Sequence, residues 1–447
     1  MKSKNLPVAI IFTCFSIGAD AADPKAHGFI EDSRATVSSR TMYYSNDNHD
    51  GGFDQRETGT ALNLNFVSGF TQGTVGFGLD LESSVAIHLD GGRGHHPDNA
   101  NTFFPSDSDG SSAHSWDRAG ANIKARWSKT ELAVGNIFTP NLPILTNTDA
   151  RLVSQNFGGG VITSKEFDGL TLTAGKFDQS AGRATSNPTG LAVAGGTKDS
   201  NDFRFAGGDW KATKDLMFQY YFARLENYYK QNYLGLVHVL PLGADQSFKT
   251  DLRYFDSSSD GKNGEPGYRF NNNNGYARHP GEVDNKTWSA MFTYTLAGHA
   301  LMLGHVSVSD DGGFVWLDQG TVTDGRNRPE GNGGSTFYLF TKAMVGTFSR
   351  AGEQTSFGQY SYDFAKVGVP GLKASVAYLR GEDIKNPRGG SDLSEWERDL
   401  RIDYSILNGP LKGFSTTLRH GTYRSDNNGI PNTDQTRLIF NYSYAFY

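Results

Sequence analysis

Residues 438–447 read Leu438-Ile439-Phe440-Asn441-Tyr442-Ser443-Tyr444-Ala445-Phe446-Tyr447. Successive side chains of an extended strand point to opposite faces, so the five even-numbered residues, all large and mostly aromatic, share one face. The other face is mostly small or polar. A soluble sandwich strand also alternates, but it rarely leaves so many aromatic side chains uncovered. The segment therefore predicts a strand of a transmembrane β-barrel, apolar toward lipid and polar toward the lumen.

The composition agrees with this interpretation. The 447-residue chain has a mean hydropathy of -0.50, yet it contains 30 Phe, 20 Tyr and 6 Trp. After residue 21 it has no run of about 18 apolar residues, which excludes helical membrane spans. In a barrel only alternate residues meet lipid and aromatic residues border both interfaces, which reconciles the two observations. The net charge of -6 argues against a nucleic-acid partner.

The first residues have the pattern of a secretory signal peptide. Lys2 and Lys4 precede an apolar run over residues 6–19, and Ala19-Asp20-Ala21 offers small residues for cleavage. We therefore predict a signal peptide over residues 1–21 and a single barrel domain over residues 22–447. Cys14 is the chain's one cysteine and lies in the signal, so the exported domain would contain no disulfide.

Alternation with a period of two recurs along the whole chain, most clearly over residues 75–89. Some predicted connectors are tight, whereas others are long and polar, namely 46–57, 91–118, 257–285, 381–394 and 425–435. Short turns on one side and long loops on the other are typical of outer-membrane barrels. At about 20–25 residues per strand and connector, the chain accommodates roughly 16–20 strands, enough to enclose a water-filled lumen. The sequence therefore predicts a pore.

The same alternation places a set of basic side chains on the lumenal face. They are Arg34, Arg40, Lys124, Arg126, Lys249, Arg253, Arg401 and Arg419. A charge facing lipid at mid-bilayer costs about 2–4 kcal/mol, so these residues should face water. A guanidinium group offers a planar fork to a carboxylate, and the set predicts a ladder for small anions. Alternatively the charges only hydrate the lumen and pair with one another, as Asp251 would with Lys249 or Arg253.

Residues 138–160 do not fit a hairpin loop. Pro140 and Pro143 interrupt the strand, and three glycines at 158–160 allow a sharp return. The segment is apolar enough to pack against the barrel interior, which predicts an inward fold that narrows the channel. Asp149 and Arg151 would then lie at the constriction and form a dipolar gate. The alternative is a well-packed surface loop.

At this point the chain resembles the OprD family of Gram-negative outer-membrane porins. The segments that carry the resemblance are 28–33 (GFIEDS), 90–96 (DGGRGHH), 141–143 (NLP), 149–152 (DARL), 226–230 (ENYYK), 352–353 (GE), 360–364 (YSYDF), 368–372 (GVPGL), 409–413 (GPLKG) and 423–425 (YRS). The resemblance implies an 18-stranded barrel, monomeric or loosely trimeric, with an inward-folded third loop. It also implies an arginine ladder for small carboxylates, with Arg34, Arg40 and Arg419 as members and Asp149 and Arg151 at the constriction.

The ladder is thinner than the resemblance implies. Gln359, Ala377 and Thr417 stand in late strands where such porins often carry arginine. The preferred solutes are expected to be carboxylate-containing compounds such as amino acids, small peptides or organic and aromatic acids. Chitooligosaccharides or other neutral solutes remain an alternative.

Other classes of function have weaker support in the sequence. No Gly-x-Ser-x-Gly motif occurs, and we find no compelling catalytic group, although an outer-membrane protease or phospholipase, or an adhesive barrel, stays open. His88, His95 and His96 with Asp98 are better explained by a polar external loop than by a metal site. We therefore predict a non-enzymatic porin without metal or cofactor, whose partners are small solutes, outer-membrane lipid and lipopolysaccharide.

Overall fold

The computed structural model describes residues 27–92, 94–97, 103–318, 336–427 and 429–446. The predicted signal peptide, residues 1–21, lies outside the described residues, as does Asp98. No helix in the described ranges is long and apolar enough to cross a membrane.

Strands dominate the described chain. They are β1 (Arg34–Asn48), β2 (Gln55–Val67), β3 (Gly76–Asp90), β4 (Ser115–Trp127), β5 (Thr130–Phe138), β6 (Asn141–Leu142), β7 (Leu145–Thr146), β8 (Asn156–Ser164), β9 (Leu170–Ala181), β10 (Phe203–Lys211), β11 (Leu216–Leu225), β12 (Tyr229–Gly243), β13 (Gln246–Ser259), β14 (Asp284–Leu296), β15 (His299–Val308), β16 (Gln354–Asp363), β17 (Leu372–Ile384), β18 (Leu393–Ser405), β19 (Phe414–Ser425) and β20 (Thr433–Ala445). Two 3₁₀ turns, Asn272–Asn274 and Phe364–Val367, lie in connectors.

Eighteen of these strands form one closed antiparallel barrel, as the resemblance implied. Each barrel strand pairs with the next along the chain, and β1 closes the sheet against β20, with Thr36 opposite Ala445. The short strands β6 and β7 form a separate hairpin between β5 and β8. Closure provides hydrogen-bond partners for both edge strands, which lipid cannot supply.

The two faces of the barrel differ as the alternation predicted. On β3, Phe77, Leu81 and Val85 are exposed on the outer face, whereas Ser84 and Ala86 are buried on the inner face. On β20, Phe440 and Tyr444 are likewise exposed outward. The outer wall is therefore a continuous apolar surface suited to lipid.

The connectors are short at one end of the barrel and mostly long at the other. Strands β4–β5, β12–β13 and β14–β15 are joined by two-residue turns, and the opposite end carries connectors such as 91–114 and 260–283. The long connectors 182–202 and 309–353 were not predicted, because their mixed composition carries neither the period of a strand nor the polarity of a simple loop. Long loops mark the extracellular end.

Several long connectors fold into the barrel. Residues 314–317 and 337–339 bury apolar side chains against the inward faces of β10 to β15, in one cluster that includes Tyr221, Tyr233 and Phe255. The strand number predicted a water-filled lumen without a packed core, and this is wrong where the apolar cluster fills the barrel. A barrel of eighteen strands is too wide for wall side chains to fill, and the inward loops supply the missing core.

A charge introduced on the outer face tests the assignment of the two faces. Leu62 is exposed near the middle of β2, and its neighbour Asn63 faces the lumen. We expect Leu62→Arg to lower the free energy of unfolding by about 2–4 kcal/mol and Asn63→Arg to change it little. Guanidinium unfolding in lipid vesicles measures both. Equal losses for the two variants would contradict the assignment.

Candidate functional site

Three arginines form a row across neighbouring strands on the lumenal wall. Arg401 of β18 lies directly opposite Arg419 of β19, which lies directly opposite Arg437 of β20. Side chains opposite each other on one face of a sheet have Cβ atoms about 4.5–5.5 Å apart, and like charges in that position destabilise the sheet. Stability alone therefore does not explain this row, and it marks a candidate site for anions.

The three members of the arginine row differ in how their donors are used. Arg401 donates to Asp403 at 2.6 Å, and Arg437 donates to the carbonyl oxygen of Met344 at 2.9 Å and to Gln435. Within the described part of the chain, Arg419 makes no direct hydrogen bond or ion pair.

Three carboxylates of β18, those of Glu395, Glu397 and Asp399, lie close to the arginine row and hold the 309–353 connector. Glu397 and Asp399 accept bonds from the backbone N–H groups of residues 344–346 at 2.6–3.1 Å. Glu395 pairs with Arg350 of the same connector. Glu395, Glu397 and Asp399 thus act as acceptors for a loop, whereas Asp403 pairs with Arg401.

The predicted constriction insert does fold inward, and the lumenal wall holds it there. Arg40 donates to the carboxylate of Asp149 at 2.6 Å and to the carbonyl oxygen of Arg151 at 2.8 Å. Ser154 donates to the same carboxylate at 3.0 Å. Arg118 binds the carbonyl oxygen of Ser154 and, at 2.8 Å, that of Gly182. Asp149 is therefore an anchor of the insert.

Arg151 extends the arginine row from the side of the insert. Its guanidinium carbon lies 4.4 Å from the ring centroid of Tyr44, and Nη2 donates to the Tyr44 hydroxyl at 3.3 Å. Arg437 lies opposite Tyr44 across the strand pair and 5.8 Å from the same ring. The face of one aromatic ring thus helps to hold two guanidinium groups together beside the inward insert.

Two connector residues add positive charge to this region. Burial lowers the pKa of Lys342 to about 8 against the opposing effect of Glu397, and Arg183, Arg437 and Arg151 lower it further. Burial, followed by the proximity of Arg151, also lowers the pKa of Arg183. A guanidinium group nevertheless stays protonated near neutral pH. Lys342 is the member of this set whose charge changes in an accessible pH range.

The other predicted ladder residues lie elsewhere in the lumen, and Lys124 and Arg126 have protein partners. Lys124 pairs with Asp80 at 2.6 Å, and Arg126 lies 4.3 Å from the ring centroid of Phe70. Arg34 is exposed at the turn end of β1. Arg34 and Arg40 are six residues apart on the same inward face of β1, about 20 Å along the strand.

The predicted pair on β13 is a structural clamp. Asp251 accepts from Arg253 at 2.7 Å and contacts Lys249 at 3.2 Å. Arg253 also donates to the carbonyl oxygen of Tyr338 at 2.6 Å and lies 3.8 Å from its ring centroid. The alternative interpretation, in which lumenal charges pair with one another, therefore describes these residues.

Sequence reasoning missed Arg437 of the row and three further cations, Arg118, Arg183 and Lys342. Arg437 and Arg118 share faces with residues that the alternation had already placed inward, so the same signal would have found them. Arg183 and Lys342 lie in connectors without periodicity, and no sequence signal indicates them.

Among the described residues, no three or more histidine, cysteine, aspartate or glutamate side chains are grouped to hold a metal ion. His96 instead contacts Glu57 at 2.8 Å, and His88 contacts the same carboxylate at 3.6 Å.

Comparison with known proteins gives consistent matches. A family model described as outer membrane porin, OprD family, matches residues 27–446. Porin D of Pseudomonas aeruginosa is 32% identical over 439 residues, which cover 94% of this chain and 92% of porin D. The crystal structure of P. aeruginosa OccK8 (OprE) has a TM-score of 0.84 and 41% identity, covering 94% of this chain and 100% of OccK8. That of P. aeruginosa OpdK with vanillate has a TM-score of 0.79 and 30% identity, with the same coverage of both chains.

Removal of the Arg151 side chain tests its place at the constriction. We expect Arg151→Ala to lower the ratio of anion to cation permeability by up to about fivefold, since one charge at about 4 Å in water contributes about 1 kcal/mol. Conductance should change less than this ratio. Reversal potentials in planar bilayers measure the effect, and Arg126→Ala, which removes another guanidinium from an aromatic ring, is the control. An unchanged ratio in Arg151→Ala would contradict the placement.

The lowered pKa of Lys342 predicts a pH dependence. An ammonium group is charged below its pKa, so raising the pH from 7 to 9 removes one positive charge from the lumen. We expect anion selectivity of the wild-type channel to fall over this range and that of Lys342→Met to stay flat at the lower level. Reversal potentials under a fixed salt gradient give both curves. A variant that keeps the wild-type slope would disprove the assignment to Lys342.

Proposed function

The chain belongs to the OprD family of outer membrane porins, and from this we propose that its lumen selects small carboxylate-containing solutes. The protein is a channel of the outer membrane and not an enzyme, because its relatives are porins and its fold is a closed barrel. Solutes cross by diffusion down their gradient. The residues that line the lumen then determine which solutes pass.

The observation that carries this proposal is the arginine row, Arg401, Arg419 and Arg437. A guanidinium group binds a carboxylate through two parallel hydrogen bonds, a geometry that a neutral solute cannot match. Several such groups in series hold an anion weakly at each step, which favours entry and still permits release. Of the nearby carboxylates of β18, Glu397 and Asp399 hold a loop and Asp403 pairs with Arg401, so Arg419 and Arg437 supply the positive charge for a solute.

The charges beyond the row support an anion path through the constriction. Arg151 and Arg183 lie close enough to Arg437 to interact with it electrostatically. A carboxylate leaving the row thus meets further positive charge at the inward insert. Asp149 is neutralised by Arg40 and opposes this path little.

A structure of a relative supports a subclass of substrate. OpdK of P. aeruginosa has been solved with vanillate, a small aromatic carboxylate. We extend this to small organic and aromatic acids, amino acids and small peptides as the solutes of the present chain. All of these carry the carboxylate that the arginine row recognises.

A second candidate is a neutral solute such as a chitooligosaccharide. It is favoured by the uncharged lumenal positions Gln359 and Ala377, which lie opposite each other on β16 and β17, and by Thr417, which donates to Asp403. On that hypothesis the arginines only hydrate the lumen. The experiment below distinguishes the two candidates.

The closed barrel is complete within one chain, because β20 pairs with β1. We propose that each chain conducts by itself, as a monomer or within a loose trimer, with outer-membrane lipid and lipopolysaccharide around it.

The double variant Arg419→Met/Arg437→Met tests the proposal in liposomes. We expect benzoate flux to fall at least about tenfold, because each hydrogen bond to a charged group contributes about 1.5–3 kcal/mol. Arabinose has no carboxylate and loses no such bond, so its flux should stay within about twofold. Lys249→Met removes a lumenal cation outside the row and is the matched control. The neutral-solute candidate would be favoured if benzoate flux were unchanged in the double variant and chitooligosaccharide flux were well above the fluxes of benzoate and arabinose.

A further inference from the structure

A second row of cations lies on the outer wall of the barrel. Lys176 of β9 is directly opposite Arg204 of β10, which is opposite Arg224 of β11, which is opposite Lys230 of β12. Their side chains are 37–64% exposed, whereas the alternating neighbour Phe203 is fully buried on the lumenal side. We call these four residues the outer basic row. Like charges in direct opposition are unfavourable in a sheet, as for the lumenal arginines.

Two carboxylates at the loop end of the strands pair with the outer basic row. Asp202 contacts Arg204 at 2.7 Å and Lys176 at 3.6 Å. Asp260 contacts Arg224 at 2.9 Å and Lys230 at 3.1 Å. The two carboxylate side chains are only 17% and 4% exposed. Each acid is thus shared by two cations of the outer basic row.

The carboxylates stay ionised, and two further acids lie near the row. Burial opposes the ionisation of Asp260, yet the hydrogen bonds from Arg224 and Lys230 hold its pKa below the usual range. The exposed Glu226 interacts electrostatically with Arg204 and Arg224. Asp178 follows Lys176 on the outer face by one alternation step. The row therefore has little net charge, and its binding capacity lies in its directed donors.

An apolar groove begins directly below the outer basic row. It has a volume of about 1180 Å³ and runs across the outward faces of β8 to β14. Its floor contains the small residues Ala174, Ala206 and Gly208, and its sides include Leu172 and Trp210. Ala174 and Ala206 are each two residues from a cation of the row, about 7 Å along the strand.

The position of these two features fits one kind of ligand. Arg204, Arg224 and Lys230 each lie one residue inside the strand end that joins the long-loop side of the barrel. That side faces the outside of the cell, so the groove faces the outer leaflet. A ligand matching both features has a phosphate at the level of the cations and acyl chains below it. Arginine is well suited to phosphate because its planar fork donates two parallel hydrogen bonds.

We propose that the outer basic row and the groove form a specific binding site for lipopolysaccharide. A phosphate of its lipid A accepts hydrogen bonds from Arg204 and Arg224, flanked by Lys176 and Lys230. An acyl chain lies in the groove over Ala206. This inference rests on the outer-membrane location and is independent of which solute crosses the lumen.

Binding of purified lipid A to barrel refolded in lipopolysaccharide-free detergent tests the site. We expect Arg204→Gln/Arg224→Gln to weaken the dissociation constant at least about tenfold, because two charge-assisted hydrogen bonds are lost. Arg380→Gln is the matched control, since Arg380 pairs with Glu382 at 2.7 Å on the outer face of β17, away from the groove. The control should bind lipid A as the wild type does. Equal affinities for the double variant and the control would overturn the proposal.

A second pair of measurements separates the two parts of the site and guards against misfolding. Ala206→Trp fills the groove without changing charge, and we expect it to weaken lipid A binding by a similar factor. Dephosphorylated lipid A should bind the wild type at least about tenfold more weakly than lipid A, by the same loss of charge-assisted bonds. Heat-modifiable electrophoretic migration verifies that each variant forms a barrel. If dephosphorylated lipid A bound equally well, or Ala206→Trp had no effect, the site would not be as proposed.

Discussion

In lipid, every backbone N–H and C=O group needs a partner within the protein, and this constraint governs the whole structure. A β-sheet satisfies it only by closing on itself, as β1 does with β20. Closure of eighteen strands produces a wall too wide for its own side chains to fill. The interior must then be built from connectors that fold inward, and those connectors need anchors on the lumenal wall.

The lumenal arginines divide into two groups, according to whether they anchor an inward connector. Arg40, Arg118 and Arg253 donate to carbonyl oxygens or carboxylates of inward connectors and hold them in place. Arg401, Arg419 and Arg437 form a cross-strand row that the fold does not require and that costs stability. A cost accepted in the fold is a sign of function, and we propose that here it serves the recognition of anions.

The period of two predicted the barrel, the lipid-facing side of the strands in which it is clear and the inward position of the basic residues singled out, because alternation is a local property of the backbone. It did not distinguish the roles of these residues. Arg253 and Arg401 have the same pattern in sequence, but Arg253 bonds to the carbonyl oxygen of Tyr338, 85 residues away. Such contacts depend on connectors without periodicity, which also explains why Arg183 and Lys342 were missed. The alternation of β20 alone could have predicted that Arg437 faces the lumen.

The central claim is that the arginine row recognises the carboxylate of a solute. Single-channel recording of the wild-type protein with benzoate and with benzamide tests this most directly, because the two molecules match in shape and differ in charge. We predict that benzoate blocks the current at concentrations at which benzamide has no effect. Equal block by both molecules, or block by neither at concentrations that allow their flux, would contradict recognition of the carboxylate by the row.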